Sequence, residues 1–599
     1  MEHNPSSMED LRELGYYHVG SLYGALAATA QAHPDLFALN FLGRRYRYPF
    51  LLERVDCFAN ALADAGIGKG DVVSIMLPNC PQAVIAIYAA NKIGAIANVI
   101  HPLMSQGELE HSLALVGTKL LLTMDIFYDK ASAAAAANAE KIVGATCQLV
   151  VTKIVDELPL YARAAFKLRA KKMGMAAAPV REDGTTASYR HFMQRGIYLR
   201  GKNLGVAAPV EDEKLAQQPA VILFSGGTTG TPKGILLSND NLNAEVAQVR
   251  AGASLPMLPG DRILGALPLF HGFGLAVCLH EAICNGLECL LVPRLTVKEY
   301  TRVILRGRCN YVVGVPTLLG KIAELPGGED IDLSFIKEVI SGGDTLPIEM
   351  RRRIDERLAA GGCPVQIREG YGATECTAAV TVETVDDTCE GTFGRTLVGN
   401  RARIVDPQTG TDVEPGQDGE LLIAGPSVML GYWDNPAETG KNIEVDAGGT
   451  RWLHTGDIAC ADEDGHLFYR GRIKRMIISS GYNIYPNQVE HELDALPQVE
   501  ASCVIAIPDA YRLHRIKAFV VLAKDVEPTD ETRETLLDEL KGHVARYAWP
   551  KELEFRDELP LTKVGKIDYR TLEREEAEKS ATAGEPTDGA DAGTDGRAA

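Results

Sequence analysis

A loop rich in glycine and hydroxyl residues directly follows the apolar run Val221–Phe224, which is typical of a buried strand. Its residues are Ser225, Gly226, Gly227, Thr228, Thr229, Gly230, Thr231, Pro232 and Lys233. Glycines let successive backbone N–H groups turn toward one anion, and hydroxyl groups and a lysine add further donors. The spacing differs from the Walker phosphate loop, because here the lysine precedes its glycine. We therefore expect this loop to bind a polyphosphate.

The same loop resembles the signature of the adenylate-forming superfamily, which includes acyl-CoA synthetases, adenylation domains of peptide synthetases and beetle luciferases. Further segments that resemble the superfamily's motifs follow in the same order, and the resemblance covers about residues 15–575 of the 599. It implies an α/β fold with a large N-terminal domain and a small mobile lid. It also implies an enzyme that uses ATP, Mg²⁺ and CoA.

The segment Arg368–Glu375 resembles the superfamily's YGxTE motif. A carboxylate near a phosphate loop needs a cation between the two anions, and Mg²⁺ commonly joins one or two carboxylates to nucleotide phosphates. Glu375 is therefore the expected Mg²⁺ ligand, and the Thr374 hydroxyl is expected to bind a phosphate oxygen. The resemblance implies that Tyr371, which precedes Gly372, stacks on adenine.

Two glycines and one carboxylate are expected to complete the nucleoside site. Gly342 and Gly343 belong to a segment that resembles the SGG motif, and glycine lets adenine and the acyl group approach the backbone closely. Asp457 ends the segment Trp452–Asp457, which resembles the TGD motif. Its expected role is to accept hydrogen bonds from two ribose hydroxyls.

Three basic residues are expected to act from the C-terminal part of the chain. Lys566 lies in the segment Pro560–Ile567, which resembles the motif that carries the catalytic lysine. When a carboxylate attacks the α-phosphate of ATP, two anions approach each other, and a positioned cation lowers that barrier. The resemblance further implies that Arg472 binds ribose or phosphate and that Lys474 lies at an interdomain hinge.

The segment Leu267–Leu275 resembles the part of the superfamily that reaches the acyl pocket. Amino-acid-activating relatives place an Asp after the Phe of this segment, and this chain has a His. An unpaired amino cation would be unfavourable in an apolar pocket, which favours an acid without an amino group. A medium- or long-chain fatty acid is expected, with an aromatic or sterol (bile) acid as the alternative. The expected pocket residues are His271, Gly272, Phe273 and Val315.

The segment Ile478–Pro486 resembles the loop that enters the site after adenylation, so Ser480, Gly481 and Tyr482 are expected to line the CoA path. Rotation of the lid would exchange Lys566 for this loop. One site would then form acyl-AMP with release of pyrophosphate, and afterwards acyl-CoA with release of AMP. The alternatives are an acyl- or aryl-AMP ligase that loads a carrier protein, and a non-catalytic nucleotide-binding or membrane-associated scaffold.

Helical and strand patterns alternate along the first half of the chain, which predicts a parallel sheet covered by helices. Examples are Phe50–Ala65, Val72–Leu77, Gln82–Gly94, Ile96–Ile100 and Gln148–Thr152. The predicted organisation is an N-terminal adenylation domain over 1–472, with a basic insertion over about 156–203 and a β-rich subdomain over about 395–472, a hinge at 473–475, a lid over 476–578 and a disordered acidic tail over 579–599.

Charge and composition narrow the function classes. The net charge of −19, from 61 Lys+Arg against 80 Asp+Glu, argues against a general nucleic-acid binder. The polar N-terminus and the lack of an apolar run of about 18 residues predict a cytoplasmic protein without a signal peptide or membrane span. The insertion contains a basic stretch, Arg163–Lys172, with interspersed Leu and Phe. This stretch is either a solvated insert or a peripheral contact with an anionic membrane.

Overall fold

The computed structural model describes residues 5–141, 147–159, 162–163, 182–224, 232–253, 255–293, 299–325, 331–384, 389, 391–479, 482–509, 513–562 and 566–583. The chain divides into two compact units. The first comprises residues 1–346 and 350–469, and the second comprises 347–349 and 470–599. The residues proposed for the hinge, 473–475, fall just inside the second unit.

The first unit contains a sheet in which eight strands lie within the described residues. In spatial order these strands are Gly431–Tyr432, Gly234–Ser238, Pro219–Phe224, Ile96–Val99, Val72–Met76, Thr118–Met124, Gln148–Thr152 and Thr186–Ser188. From Pro219–Phe224 onward the neighbours are parallel, and their apolar side chains are largely buried. Continuous apolar runs are expected for such strands, because both faces of the sheet are covered.

A second sheet of the first unit has nine strands within the described residues. In spatial order they are Arg395–Thr396, Thr381–Val382, Ile367–Tyr371, Glu338–Gly342, Tyr311–Gly314, Arg262–Gly265, Glu288–Leu291, Phe37–Phe41 and Arg44–Arg47. The central strands are parallel. Because these strands run in the same direction, their carboxyl ends lie at one edge of the sheet, where ligands bind in many open α/β sheets.

Smaller sheets account for the remaining strands of the described part. In the β-rich region the strands are Arg401–Val405, Gly419–Ala424, Arg451–Ala461, Ile443–Val445 and Leu467–Arg472. In the second unit the strands are Ile477–Ser479 paired with Tyr482–Ile484, and Val499–Asp509, Leu513–Leu522 and Glu552–Phe555 in one sheet.

Helices cover these sheets. Their bounds are Met8–Glu13, Leu22–Ala32, Tyr48–Asp64, Pro81–Lys92, Gln106–Val116, Tyr128–Lys141, Tyr189–Gly201, Glu213–Ala216, Asn239–Ala251, Glu281–Asn285, Tyr300–Gly307, Pro316–Ala323, Ile348–Ala360, Pro436–Asn442, Pro486–Asp494, Asp530–Lys541 and Tyr569–Ala583. The helix Pro81–Lys92 is buried at every position, in agreement with its mostly apolar sequence. The confirmed class is α/β, with a large N-terminal portion and a smaller C-terminal one.

Part of the expected insertion belongs to the main sheet. Thr186–Ser188 adds a strand beside Gln148–Thr152, and the helix Tyr189–Gly201 packs on the helix Tyr48–Asp64. The two helices approach so closely that a Cβ at Gly196 would lie 1.7 Å from the Cys57 carbonyl oxygen. The α/β pattern thus resumes earlier than the sequence analysis places it.

The other expected boundary features fall partly outside the described residues. Most of the basic stretch is outside them, although the Arg163 guanidinium donates hydrogen bonds to the carbonyls of Asp156 and Leu158. The expected disordered tail begins at residue 579, but the helix Tyr569–Ala583 continues through that position. Residues 584–599 are outside the described part. In that part, no helix is both long and apolar enough to span a bilayer.

Candidate active site

A cavity that is partly open to solvent lies in the first unit. Several residues expected from separate motifs line it together: His271, Phe273, Gly342, Gly343, Tyr371, Gly372 and Thr374. Apolar side chains form much of the remaining wall, namely Val249, Val277, Ile340, Val382 and Leu397. Motif residues separated by a hundred positions in the chain thus share one cavity with an apolar interior.

Parallel strands bring the motif residues together. Gly342 pairs with Gly370 in the register of two neighbouring strands, and Gly314 pairs with Ser341 on the other side. Because these strands run in the same direction, the residues that follow them meet at one edge of the sheet. Val315 follows its strand directly and is not among the residues that line the cavity. It adjoins Gly343, which does line the cavity, because a Cβ at Gly343 would be 3.6 Å from the Val315 Cγ1.

Two of the expected glycines are required by packing within the protein. A Cβ at Gly372 would lie 1.5 Å from the Ala378 carbonyl oxygen, and a Cβ at Gly272 would lie 1.8 Å from the Thr377 carbonyl oxygen. Both distances are far below van der Waals contact, and the obstructing atoms are backbone. Thr377 and Ala378 line the cavity themselves. Glycine at these two positions therefore lets the backbone of Thr377 and Ala378 pack closely enough to form part of the cavity wall.

The Tyr371 side chain holds the carboxylate that is expected to bind ribose. Its hydroxyl donates a hydrogen bond of 2.6 Å to Asp457 Oδ2, and the Tyr469 hydroxyl lies 3.5 Å from Oδ1. Asp457 is only 1% exposed. Burial, and secondarily the Asp457 charge, raise the pKa of Tyr371, so the phenol remains a donor at neutral pH. The Tyr371 ring also packs on Phe393, with centroids 4.9 Å apart, and sequence reasoning did not identify Phe393.

Lys233 and Glu375, which are expected to act on the phosphates, meet around a residue that sequence reasoning missed. The Tyr432 hydroxyl donates a 3.2 Å hydrogen bond to Glu375 Oε1, and the Lys233 Nζ lies 5.0 Å from the Tyr432 ring centroid. Lys233 also forms an ion pair with Glu438. A hydrogen bond from Lys233 is the largest cause of the lowered pKa of Glu438.

The pairing of Gly431–Tyr432 with Gly234–Ser238 explains this arrangement. In that antiparallel pair Tyr432 is opposite Ile235, two residues after Lys233. The chain separation of about two hundred residues leaves no local pattern that could have revealed the contact. The glycine-rich residues 225–231, expected to bind the phosphates, lie outside the described part of the chain.

His271 lies in the segment that is expected to form the acyl side of the cavity. Its Nδ1 accepts a 3.3 Å hydrogen bond from the Phe273 backbone N–H, so Nδ1 carries no proton in this arrangement. The following residues, Phe273–His280, form a π-helix. Such wide turns are frequent at functional sites, because they shift the side chains that follow. The sequence pattern gave no sign of this turn.

The second unit carries the remaining expected residues. The Lys566 backbone N–H donates to Thr562 Oγ1 at 3.1 Å, and the Thr562 N–H donates to the Lys566 carbonyl at 2.7 Å, so these two residues are paired directly. Arg472 and Lys474 are exposed. Tyr482 starts the strand Tyr482–Ile484, but its side chain is outside the described part, as are Ser480 and Gly481.

A solved structure of a CoA ligase has the same fold as this chain. The anthranilate CoA ligase AuaEII in complex with anthranoyl-AMP superposes with a TM-score of 0.78 and 22% sequence identity, over 95% of this chain and 99% of that one. At this identity the likeness establishes the fold. The motif resemblance implies the same fold.

Sequence comparison establishes the family. The model of the AMP-binding enzyme family matches residues 26–433, and that of the AMP-binding enzyme C-terminal domain matches 488–566. The long-chain-fatty-acid–CoA ligase of Bacillus subtilis (strain 168) is 31% identical over 93% of this chain and 95% of that protein. The enzyme of the same name from Salmonella typhimurium (strain LT2) is 31% identical over 96% of each. The chain belongs to the AMP-binding enzyme family.

Proposed function

We propose that this chain is an ATP-dependent acid–thiol ligase that converts a medium- or long-chain fatty acid to acyl-AMP and then to acyl-CoA. The observation that carries the proposal is the cavity, where an apolar wall adjoins Tyr371, Thr374 and the SGG glycines. The full-length relatives named long-chain-fatty-acid–CoA ligase support this substrate class.

The cavity wall favours an acid without an amino group. No Asp or Glu side chain lines the cavity in the described part of the chain, and its side chains are mainly aliphatic or aromatic. A substrate ammonium group would enter this space without a carboxylate directly beside it, which is unfavourable. His271 lines the cavity, and its Nδ1 accepts a hydrogen bond from the Phe273 N–H.

In the first step, the residues around Tyr432 would receive the pyrophosphate end of ATP. Lys233 supplies a positive charge and Thr374 a hydroxyl donor, while Asp457 accepts hydrogen bonds from the ribose. The donor set fits Mg²⁺, because the Glu375 carboxylate lies beside a lysine and a hydroxyl that suit phosphate. When bound, Mg²⁺ would neutralise charge between Glu375 and the phosphates. Lys566 and Arg472 would add positive charge from the second unit.

The second step would use the same site after the lid has rotated about residues 473–475. Lys566 would leave and the loop around Gly481 would enter, so that the CoA thiol reaches the acyl carbonyl and displaces AMP. The proposed domains are accordingly an adenylation domain up to residue 472 and a lid from residue 476. The match of the C-terminal family model to 488–566 supports the lid assignment.

The test is a turnover experiment with purified protein, ATP, Mg²⁺, hexadecanoic acid and CoA. The expected products are pyrophosphate, AMP and the hexadecanoyl thioester in equal amounts. Adenylate formation without a CoA thioester would instead identify a ligase that loads a carrier protein. Pyrophosphate release with benzoate or a bile acid but not with hexadecanoate would replace the fatty-acid assignment.

A further inference from the structure

Two arginines of the β-rich region lie at one end of its sheet. Arg401 and Arg451 each begin a strand, and the strand Gly419–Ala424 lies between those two strands. This middle strand is antiparallel to both, and its last residue, Ala424, is opposite Arg401. In antiparallel pairs the end of one strand lies beside the start of its neighbour. The sheet thus brings together two cations that are far apart in the chain.

Both arginines line an open pocket at this end of the sheet. The rest of its lining is Gly425, Val428 and the turn Gly448–Thr450. None of these residues lines the cavity of the candidate active site, so the pocket is separate from it. Among the residues that the structure describes, no Asp or Glu lines the pocket. A concave surface with two positive charges and no carboxylate attracts an anion.

The hydrogen bonds of the two guanidinium groups go to neutral acceptors. Arg401 donates a 3.1 Å hydrogen bond to the Thr450 hydroxyl. Arg451 donates to the carbonyl oxygens of Met429 and Leu430 at 3.0 and 2.9 Å. In the described part of the chain, neither arginine forms an ion pair with a carboxylate. The acceptors therefore hold the guanidinium groups in place without cancelling their charges.

The neighbouring acid, Asp446, is engaged within its own turn. Its Oδ1 accepts hydrogen bonds from the backbone N–H groups of Gly448 and Thr450, and its Oδ2 accepts one from the Trp452 indole N–H. Burial lowers the pKa of Arg451, and no acidic group counteracts that shift. A half-buried cation without a counter-charge is unfavourable, so an anion that enters the pocket would reduce this cost.

We propose that Arg401 and Arg451 form a phosphate-binding site outside the cavity. Two guanidinium groups match a group that carries two negative charges, and the planar fork of arginine pairs with phosphate oxygens. A single carboxylate would leave one of the two cations without a counter-charge. The turn leaves room for a ligand, because a Cβ at Gly449 would meet no atom within 4 Å. The phosphate is either a free ion, such as inorganic phosphate or pyrophosphate, or part of an ester such as CoA.

The experiment is isothermal titration of the full chain with inorganic phosphate, pyrophosphate, CoA and dephospho-CoA. Ionic strength is held constant, because salt screens charge attraction. Arg401→Gln removes the charge and keeps an N–H donor. Arg403→Gln is the matched control, because Arg403 belongs to the same strand and also lies over the Trp452 ring. Arg403 is paired with Asp412 and does not line the pocket. Binding in the cavity would be common to all three proteins, so their comparison isolates the pocket.

We expect Arg401→Gln to weaken the binding of at least one probe by about tenfold or more, and Arg403→Gln to change it by less than about twofold. In the wild type, the same probe should protect Arg401 but not Arg403 from modification by phenylglyoxal, as read by mass spectrometry. Dependence on Arg401 with the inorganic ions alone would identify a free phosphate. Dependence with CoA that is reduced with dephospho-CoA would identify a phosphate ester. Equal affinities of the wild type and Arg401→Gln for every probe, or an equal loss in Arg403→Gln, would overturn the proposal.

Discussion

Replacing Tyr371 by Phe removes one hydroxyl from the proposed adenylate site and leaves the ring in place. That hydroxyl donates a 2.6 Å hydrogen bond to Asp457, a carboxylate that is 1% exposed. The Tyr469 hydroxyl, at 3.5 Å from the other carboxylate oxygen, is at the limit of a hydrogen bond. Tyr469→Phe is therefore the matched control, because it removes the same group at a longer distance.

The magnitude follows from burial and distance. A hydrogen bond to a charged group contributes about 1.5–3 kcal/mol, and buried surroundings leave the carboxylate little access to water as a replacement. We expect Tyr371→Phe to lower the free energy of unfolding of the first unit by about 2 kcal/mol. Tyr469→Phe should lower it by less than about 1 kcal/mol, because its hydrogen bond is long. The raised pKa of Tyr371 keeps the phenol protonated, so the difference should persist across neutral pH.

The assay is urea-induced unfolding of the wild type and both variants, with the KM for ATP measured in parallel. Because Asp457 is expected to hold ribose, Tyr371→Phe should also raise the KM for ATP more than Tyr469→Phe does. Equal losses of stability in the two variants, or a loss below about 0.5 kcal/mol in Tyr371→Phe, would refute the reasoning that this buried contact orders the site.

Three further substitutions test the proposed roles. Lys566→Ala should slow adenylation by about 10²–10³-fold, while the variant still converts pre-formed acyl-AMP to acyl-CoA. The two half-reactions are measured separately, and an equal loss of both would contradict a role limited to the first step. Glu375→Gln keeps an acceptor for Tyr432 and should raise the Mg²⁺ concentration for half-maximal rate at least about tenfold, with an unchanged unfolding midpoint. In Glu438→Gln, Lys233 no longer shares its charge with a carboxylate, so the KM for ATP should fall by up to about fivefold; a rise would show that Glu438 positions the lysine instead. Because Lys233 lowers the pKa of Glu438, the pair stabilises the fold above the ordinary Glu pKa, and this contribution is lost as pH falls through the lowered value and is absent from the variant.

Sequence patterns predicted the parts of the fold that depend on local periodicity. Gln148–Thr152 is a strand with the predicted bounds, and Val72–Met76 differs from the prediction by one residue. Both are buried parallel strands, whose continuous apolar runs are unmistakable in sequence. The strand Thr186–Ser188 and the helix after it were not recognised, because the basic stretch before them suggested an insertion. The short strand alone carries too little pattern to outweigh that signal.

Contacts between distant segments account for what the sequence did not reveal at the site. Tyr432 and Glu438 reach Lys233 through an antiparallel strand pair that joins segments about two hundred residues apart. Glu245, in the helix Asn239–Ala251, is fully buried although it lies in a polar stretch, where an exposed position is the ordinary expectation for a glutamate. Its burial depends on the packing of that helix against the segment that contains Ala379, which no local pattern encodes.

The most direct test of the central claim is a stoichiometric measurement with hexadecanoic acid, ATP, Mg²⁺ and CoA. Pyrophosphate, AMP and acyl-CoA are quantified with and without CoA. We predict that the wild-type protein releases pyrophosphate at most once per active site without CoA, and that CoA restores turnover with equal amounts of AMP and acyl-CoA. Sustained pyrophosphate release that never yields a CoA thioester, or release of ADP in place of AMP, would contradict the account.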